Sequence, residues 1–383
     1  MFTWKPDAIP YQKDEFSQNP MYRDIARAIV RHGSGTTLLD AGSGLGFLSA
    51  AFASLGCSVI AVEQNPLVAA SAVFPTRVED VHQLSPSLVV DTVACCNFGS
   101  TVECLELGEI HASKTLCLVR QNWGGHRFRP DAPESNPASR TAMMLDAFSI
   151  PWEEEQVTVE AGQRFRSRAD AVRFFQLWGN DTVPPLQVQA GSFPFLYHRE
   201  GVMRLFFIRR SDIPTIRTNH LLVISGSQGI GKSTLRTRLV AHCTAPQTGF
   251  LTHKQDDVVV LDGISSNIHG IVGKPGQIRA DGFDTLGVQA LQTPGKLRIM
   301  DELGYMERDA LRFQKAVRDA LHDGVDTIAV VKDRSTPFLD AIRSDAASLC
   351  VHLTPENRNA VTEDLLRSVT ANLNWPLGRR LNG

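Results

Sequence analysis

The stretch Gly226-Ser227-Gln228-Gly229-Ile230-Gly231-Lys232-Ser233 constrains this chain more than any other, because it follows the apolar run Leu221 to Ile224 and opens a helical pattern from Thr234 onward. The order is strand, glycine-rich loop, helix. Successive backbone N–H groups at a helix start form a concave anion site, and glycine lets the main chain wrap closely around a phosphate. Gly226, Gln228, Gly229, Gly231 and Thr234 would line that cradle, Lys232 would reach the β- and γ-phosphates of a nucleotide, and Ser233 would hold Mg2+. The expected ligand is ATP or another nucleoside triphosphate.

A loop of this kind normally closes the first strand of its domain, yet it begins at residue 226 of 383. The proline-containing polar stretch Ser211-Asp212-Ile213-Pro214-Thr215 separates two apolar runs just upstream. We therefore expect a first domain over 1–212, a linker over 213–219 and a second domain over 220–383. With 43% hydrophobic and 21% charged residues the chain can fill two cores. Its 39 Lys plus Arg against 41 Asp plus Glu give a net charge of −2, which excludes a global basic field. Small molecules are the expected substrates; nucleic acid is a less favoured partner, and the oligomeric state is left open.

Seven cysteines without a C-x-x-C pair argue for reduced thiols and a cytoplasmic location. Cys95, Cys96 and Cys104 lie close in sequence, but Cys95 and Cys96 adjoin an apolar strand pattern and read as buried thiols rather than metal ligands. The N-terminal Met-Phe-Thr-Trp-Lys-Pro has no apolar signal core and no apolar run reaches 18 residues, so no membrane association is expected.

Before the loop, residues 1–20 carry Pro6, Pro10 and Pro20 and suggest an irregular lead-in, while Ile25, Ala26, Ile29 and Val30 recur at helical spacing. Thr37 to Phe47 then runs from a strand into a glycine turn and a helix over Leu48 to Leu55, and the next apolar run, Ser58 to Val62, ends in Glu63. Dinucleotide enzymes use G-x-G-x-x-G to seat a pyrophosphate; here Phe47 replaces the third glycine and the pattern is G-x-G-x-G, which points away from NAD.

Leu39 to Gly46 resembles the first motif of class I S-adenosylmethionine-dependent methyltransferases, with Asp40 as the acid before the glycines. The resemblance implies that Gly42, Gly44 and Gly46 pass close to the methionine and adenosine parts and that Glu63, an acceptor-only carboxylate, takes both ribose hydroxyls. It also implies a third strand tip at Arg77 to Asp80, with Asp80 near the adenine amine, and a fourth strand at Val89 to Cys96 facing the departing methyl group. Asn97, the candidate catalytic residue there, and Ser100 would either meet substrate or serve a tight turn. Thr115 to Arg120 reads as the fifth strand, followed by the loop Gln121 to Pro130 with His126, Arg127 and Arg129. A second basic cluster, Arg164, Arg166, Arg168 and Arg173, surrounds the helical stretch Ser167 to Leu177. The two clusters suggest an anionic acceptor, or else solvated charged faces. Phe195 to His198 and Val202 to Ile208 read as the reversed hairpin that closes this fold. The Asn/Asp-Pro-Pro-aromatic motif of amino-group methyltransferases is absent at position 97.

In the second domain, Lys296 to Glu307 presents a strand ending in two acids: Asp301 would anchor magnesium, and Glu302 would orient or deprotonate the attacking water. The residues Gly226 to Ser233, Gly249-Phe250-Leu251-Thr252, Asp301 to Glu307, the helix with Phe313, Ala316 and Val317, the strand Thr327 to Val331 and Thr354 to Arg358 together resemble the small P-loop nucleoside-triphosphatase family related to adenylate kinases and first described from thermophiles. The resemblance implies magnesium-dependent hydrolysis of nucleoside triphosphates and places Asn357 and Arg358 near the base. Family members continue the Gly-Phe-x-Thr turn with an acid and an arginine in a β-hairpin, whereas this chain has His253 to Asp257. Arg308, Arg312 and Arg334 are the cations considered for transition-state charge.

The expected architecture is α/β: two doubly wound domains, one Rossmann-like with a terminal antiparallel hairpin and one with a P-loop NTPase sheet. The expected function is a fused methyltransferase and triphosphatase. A small-molecule kinase in the second domain, an S-adenosylmethionine sensor in the first, or an RNA-modifying fusion are the alternatives.

Overall fold

Parallel strands covered on both faces read as continuous apolar runs, and those runs become the strands here. In the first unit they are β1 (Thr37–Ala41), β2 (Ser58–Glu63), β3 (Thr76–Val78), β4 (Val90–Cys96) and β5 (Ala112–Gln121), followed by β6 (Glu153–Glu160), β7 (Gln163–Phe165), β8 (Gln187–Val188), β9 (Phe195–Tyr197) and β10 (Glu200–Arg209). The computed structural model describes residues 5–32, 35–124, 128, 136–216, 221–274, 277–278, 280–345 and 348–370. Two compact units emerge: Met1–Ala142 with Ile150–Ile213, and Met143–Ser149 with Pro214–Gly383.

Among the described residues the first unit carries a seven-stranded sheet ordered β3-β2-β1-β4-β5-β10-β6 and a small sheet ordered β7-β9-β8. β1 to β5 run parallel, with Asp40 in register with Ala61 on one side and Ala94 on the other. β10 enters antiparallel between β5 and β6. The registers bring the glycine turn after Ala41, Glu63 at the end of β2 and Asn97 after β4 to one carboxyl edge of the sheet.

Two expectations need correction. The reversed strand β10 pairs with β6, not with Phe195–Tyr197, which joins the small sheet instead. The run Glu153-Glu154-Glu155-Gln156-Val157-Thr158-Val159-Glu160 hides its strand character behind four acids. Across the ladder Arg204 pairs with Glu154 and Arg209 with Glu153. The lead-in is helical over Ile9–Gln18. Pro10 lies in its first turn, where the missing N–H removes no helical hydrogen bond. Phe16 on this helix packs edge-on against Tyr22 and Phe47.

In the second unit the strands are β11 (Leu221–Gly226), β12 (Gln247–Gln255), β13 (Val258–Gly263), β14 (His269–Lys274), β15 (Gln277–Ile278), β16 (Leu297–Leu303), β17 (Asp326–Val331) and β18 (Ser348–Leu353). Among the described residues they form one sheet ordered β15-β14-β13-β12-β16-β17-β11-β18. The five strands from β12 to β18 in that order are parallel, and β13 to β15 extend the edge antiparallel. Phe250, Phe283 and Phe313 meet in the core, the rings of Phe250 and Phe283 each 5.4 Å from that of Phe313. The hairpin at His253 to Asp257 does form, but His253 turns to Asp262 on β13, and His269 on β14 pairs with the same carboxylate.

All seven cysteines are free; Cys95, Cys104 and Cys117 are fully buried in the first unit. Among the described residues no group of three or more His, Cys, Asp and Glu side chains is placed to hold a metal, and no helix is long and apolar enough to cross a membrane.

Candidate functional site

At the carboxyl edge of the first sheet the chain turns at Gly42, Gly44 and Gly46, with φ of 67°, 56° and 75°. These are left-handed values that favour glycine, and a Cβ on Gly42 would lie 2.2 Å from the Phe98 ring. Glu63 reaches this turn directly: its carboxylate accepts the Gly44 N–H at 3.1 Å and the Asn65 N–H at 2.8 Å. Asp40 is buried beneath, accepting the Ser49 hydroxyl at 2.5 Å, and burial pushes its carboxyl up to about 6 against that hydrogen bond. The Ser43 hydroxyl, buried inside the turn, has no hydrogen-bond partner. An orphaned hydroxyl beside an acceptor carboxylate fits an adenosyl ligand with both amine and hydroxyl groups.

Asp80 is exposed just past β3 and accepts the His82 N–H at 3.0 Å, capping a short turn. Glu63 is in register with Val78, so Asp80 lies at the same edge. Asn97 sits in a left-handed turn (φ 49°), exposed, its side-chain oxygen accepting the Gln121 N–H at 3.3 Å. Ser100 is buried and caps the helix Thr101–His111, exchanging hydrogen bonds with Glu103 in a capping box. The sequence reading missed His82, which pairs with Glu103 at 3.3 Å. Burial opposes the charge on His82, but the Glu103 carboxylate outweighs it and raises its pKa.

The arginines of the second basic cluster are all engaged within the first unit. Arg164 pairs with buried Glu15, Arg166 with Asp14 and Arg173 with Asp170, while Arg168 lies over the Phe195 ring. Helical acids at 14 and 15, in a segment expected to be irregular, supply two of these partners. His126, Arg127 and Arg129 of the other cluster lie outside the described residues.

The second unit carries a second cradle. β11 ends at Gly226, and the loop enters the helix Lys232–Val240 through Gly231 in a left-handed conformation. Gly226 passes so close to β18 that a Cβ would meet the Leu353 carbonyl oxygen at 2.5 Å. Gln228, Gly229 and Thr234 are exposed around it. Lys232 folds over the loop, its ammonium donating to the carbonyls of Gly226 at 2.7 Å and Ser227 at 2.8 Å. Burial lowers its pKa, Glu302 opposes that, and Lys332 adds to the lowering.

One strand separates β11 from β16, whose end carries both acids. The Ser233 hydroxyl donates to Asp301 at 3.3 Å, an all-oxygen pair that suits Mg2+. Arg236 pairs with the other Asp301 oxygen at 2.7 Å. Glu302 is 3.4 Å from the Lys332 ammonium, and its backbone exchanges hydrogen bonds with the Thr252 hydroxyl of the Gly-Phe-Leu-Thr segment. Lys332 and Arg334 both stand over the Tyr305 ring. Glu307 is buried, accepts the Gly304 N–H at 2.9 Å and is pushed up to about 7 by burial.

Besides Lys232, the strand tips gather Arg236 and Lys332, neither of them read from sequence. Of the three considered, Arg308 and Arg312 are exposed, Arg308 pairing with Asp309, and Arg334 reaches Tyr305. Arg236 had a signal in its spacing of four from Lys232 on one helix. Asn357 is held in its own turn, its side chain accepting the Thr354 N–H and donating to the His352 carbonyl. Arg358 is exposed at the start of the helix Arg358–Thr370.

The NTPase family model matches residues 265–366. The nucleoside-triphosphatase THEP1 of Aquifex aeolicus (strain VF5) is 28% identical over 172 residues, covering 38% of this chain and 96% of that relative. Its counterpart in Thermotoga maritima is 26% identical over 163 residues, covering 38% and 92%. Among solved structures, THEP1 from Aquifex aeolicus aligns with a TM-score of 0.34 at 24% identity over 38% of this chain and 96% of the other. Magnesium protoporphyrin IX methyltransferase from Synechocystis PCC 6803 with bound SAM aligns with a TM-score of 0.28 at 16% identity over 49% and 77%. By strand order and family match, the chain joins a domain of Rossmann-like α/β fold to a P-loop domain similar to the NTPase family.

Proposed function

We propose that the chain is a bifunctional enzyme, hydrolysing nucleoside triphosphates with Mg2+ in its second unit and transferring a methyl group from S-adenosylmethionine to a small-molecule acceptor in its first. The observation that carries the reading is the convergence of Lys232, Ser233, Asp301 and Glu302 at the carboxyl ends of two strands separated by one. The triphosphatase relatives, aligned over nearly their full length, support it.

Lys232 would leave its two carbonyl partners for the β- and γ-phosphates, and Ser233 with Asp301 would hold Mg2+, which supplies charge neutralisation when bound. Glu302, fixed by Thr252 through its backbone, would orient or deprotonate the attacking water. In the first unit, Glu63 and the glycine turn would bind the adenosyl and methionine parts, with Asn97 beside the transferred methyl group. Catalysis there is positioning, with no covalent intermediate required.

The full chain incubated with Mg·ATP should release free phosphate and leave no phosphorylated acceptor. Phosphate appearing only on an added small molecule would replace hydrolysis by a kinase activity. Label transferred from methyl-labelled S-adenosylmethionine to any of a panel of small acceptors tests the first unit, and binding without transfer would reduce it to a sensor.

A further inference from the structure

We infer that Arg236 occupies the magnesium carboxylate in the unloaded protein and has to leave it when the metal enters. This side chain would then set the magnesium concentration at which the second unit loads nucleotide. The inference rests on the proposed reading of Ser233 and Asp301 as metal ligands.

Arg236 lies one helical turn beyond Lys232 on the helix Lys232–Val240, which aims it at the same strand tips. Its guanidinium is 2.7 Å from Asp301 Oδ2, while the Ser233 hydroxyl takes Oδ1. Both carboxylate oxygens are therefore engaged. The pair is largely withdrawn from water, with 16% and 7% of the two side chains exposed. A divalent cation at Asp301 would face a guanidinium at hydrogen-bond distance, and like charges in a half-dry site repel strongly. Arginine cannot relieve that repulsion by losing a proton, so it must move. Its pose permits movement: the buried Nε has no hydrogen-bond partner. The neighbouring Lys332–Glu302 pair is longer, at 3.4 Å, more exposed, and does not touch the metal acid.

The test is a magnesium titration of the full chain at a fixed concentration of a non-hydrolysable ATP analogue, with analogue binding read by calorimetry. Arg236→Met keeps the apolar stem and removes the charge, and is expected to lower the magnesium midpoint by about tenfold, the effect of losing one charge-assisted hydrogen bond. Arg236→Lys should fall between, and it carries the test if the methionine variant does not fold. Arg238→Ala, exposed on the same helix, should leave the midpoint where it is. An unchanged or raised midpoint in Arg236→Met overturns the inference, a rise meaning that the arginine orients Asp301 for the metal. If analogue binding by the unmodified chain ignores magnesium altogether, the metal-site reading fails, and the inference with it.

Discussion

Lys232 already lies across the loop that would receive a polyphosphate, held by the carbonyls of Gly226 and Ser227. Lys232→Ala should therefore cut phosphate release under saturating Mg·ATP by about 100- to 1,000-fold, the scale of removing one preorganised charge-stabilising donor. Glu63 binds the Gly44 and Asn65 N–H groups through its two oxygens. Glu63→Ala should weaken S-adenosylmethionine binding by about 10- to 100-fold in calorimetry, from the loss of hydrogen bonds to a charged acceptor. Glu307 gives a pH signature. Burial raises its folded pKa to about 7, so the folded state keeps a proton that the unfolded chain gives up near its ordinary value of about 4.3. Its contribution to stability is greatest at low pH and is lost as pH rises through that window. Glu307→Gln should flatten the fall of the second unit's melting temperature between those values. The motif residues were legible because each motif is contiguous in sequence. Arg236, Lys332 and His82 were not, because their partners Asp301, Glu302 and Glu103 lie in other elements and meet them only once the strands are ordered.

At the scale of elements, the parallel strands were readable from apolar runs, and the failures came where charge covers a fold position. β6 carries four acids in eight residues and is a strand because β10 offers a ladder and arginines to match. The helix Ile9–Gln18 is polar enough to read as a lead-in, yet it buries Glu15 completely against Arg164. Arg164→Ala leaves that carboxylate without its cation and should cost the first unit about 3 kcal/mol in urea unfolding. A null effect would return the arginine cluster to a free binding face. In the second unit Phe313 is fully buried between Phe250 and Phe283, and Gly287 presses on it so closely that a Cβ there would lie 2.5 Å from the ring. Phe313→Ala should cost about 3 to 5 kcal/mol, read in the same experiment.

For the whole molecule, two units with separate sheets and separate cradles imply two separable ligand responses. In a thermal scan of the full chain, S-adenosylmethionine should raise one transition and magnesium with an ATP analogue the other. Each should gain about 2.7 kcal/mol when its ligand is at a hundredfold excess over the dissociation constant. Both ligands moving a single common transition would mean the units unfold as one. A phosphate loop normally marks the first strand of its own domain, which is why the sequence suggests a boundary just upstream of it; the compact units divide between Ile213 and Pro214, with Met143–Ser149 grouped in the second. The cysteines add a readout of their own. Cys95, Cys104 and Cys117 are sealed inside the first unit, and burial holds the Cys117 thiol well above its usual range. An alkylating reagent needs a thiolate it can reach, so it would tag these sulfurs only during excursions that open the interior. The pace of tagging would time those openings and slow when the adenosyl cradle is filled.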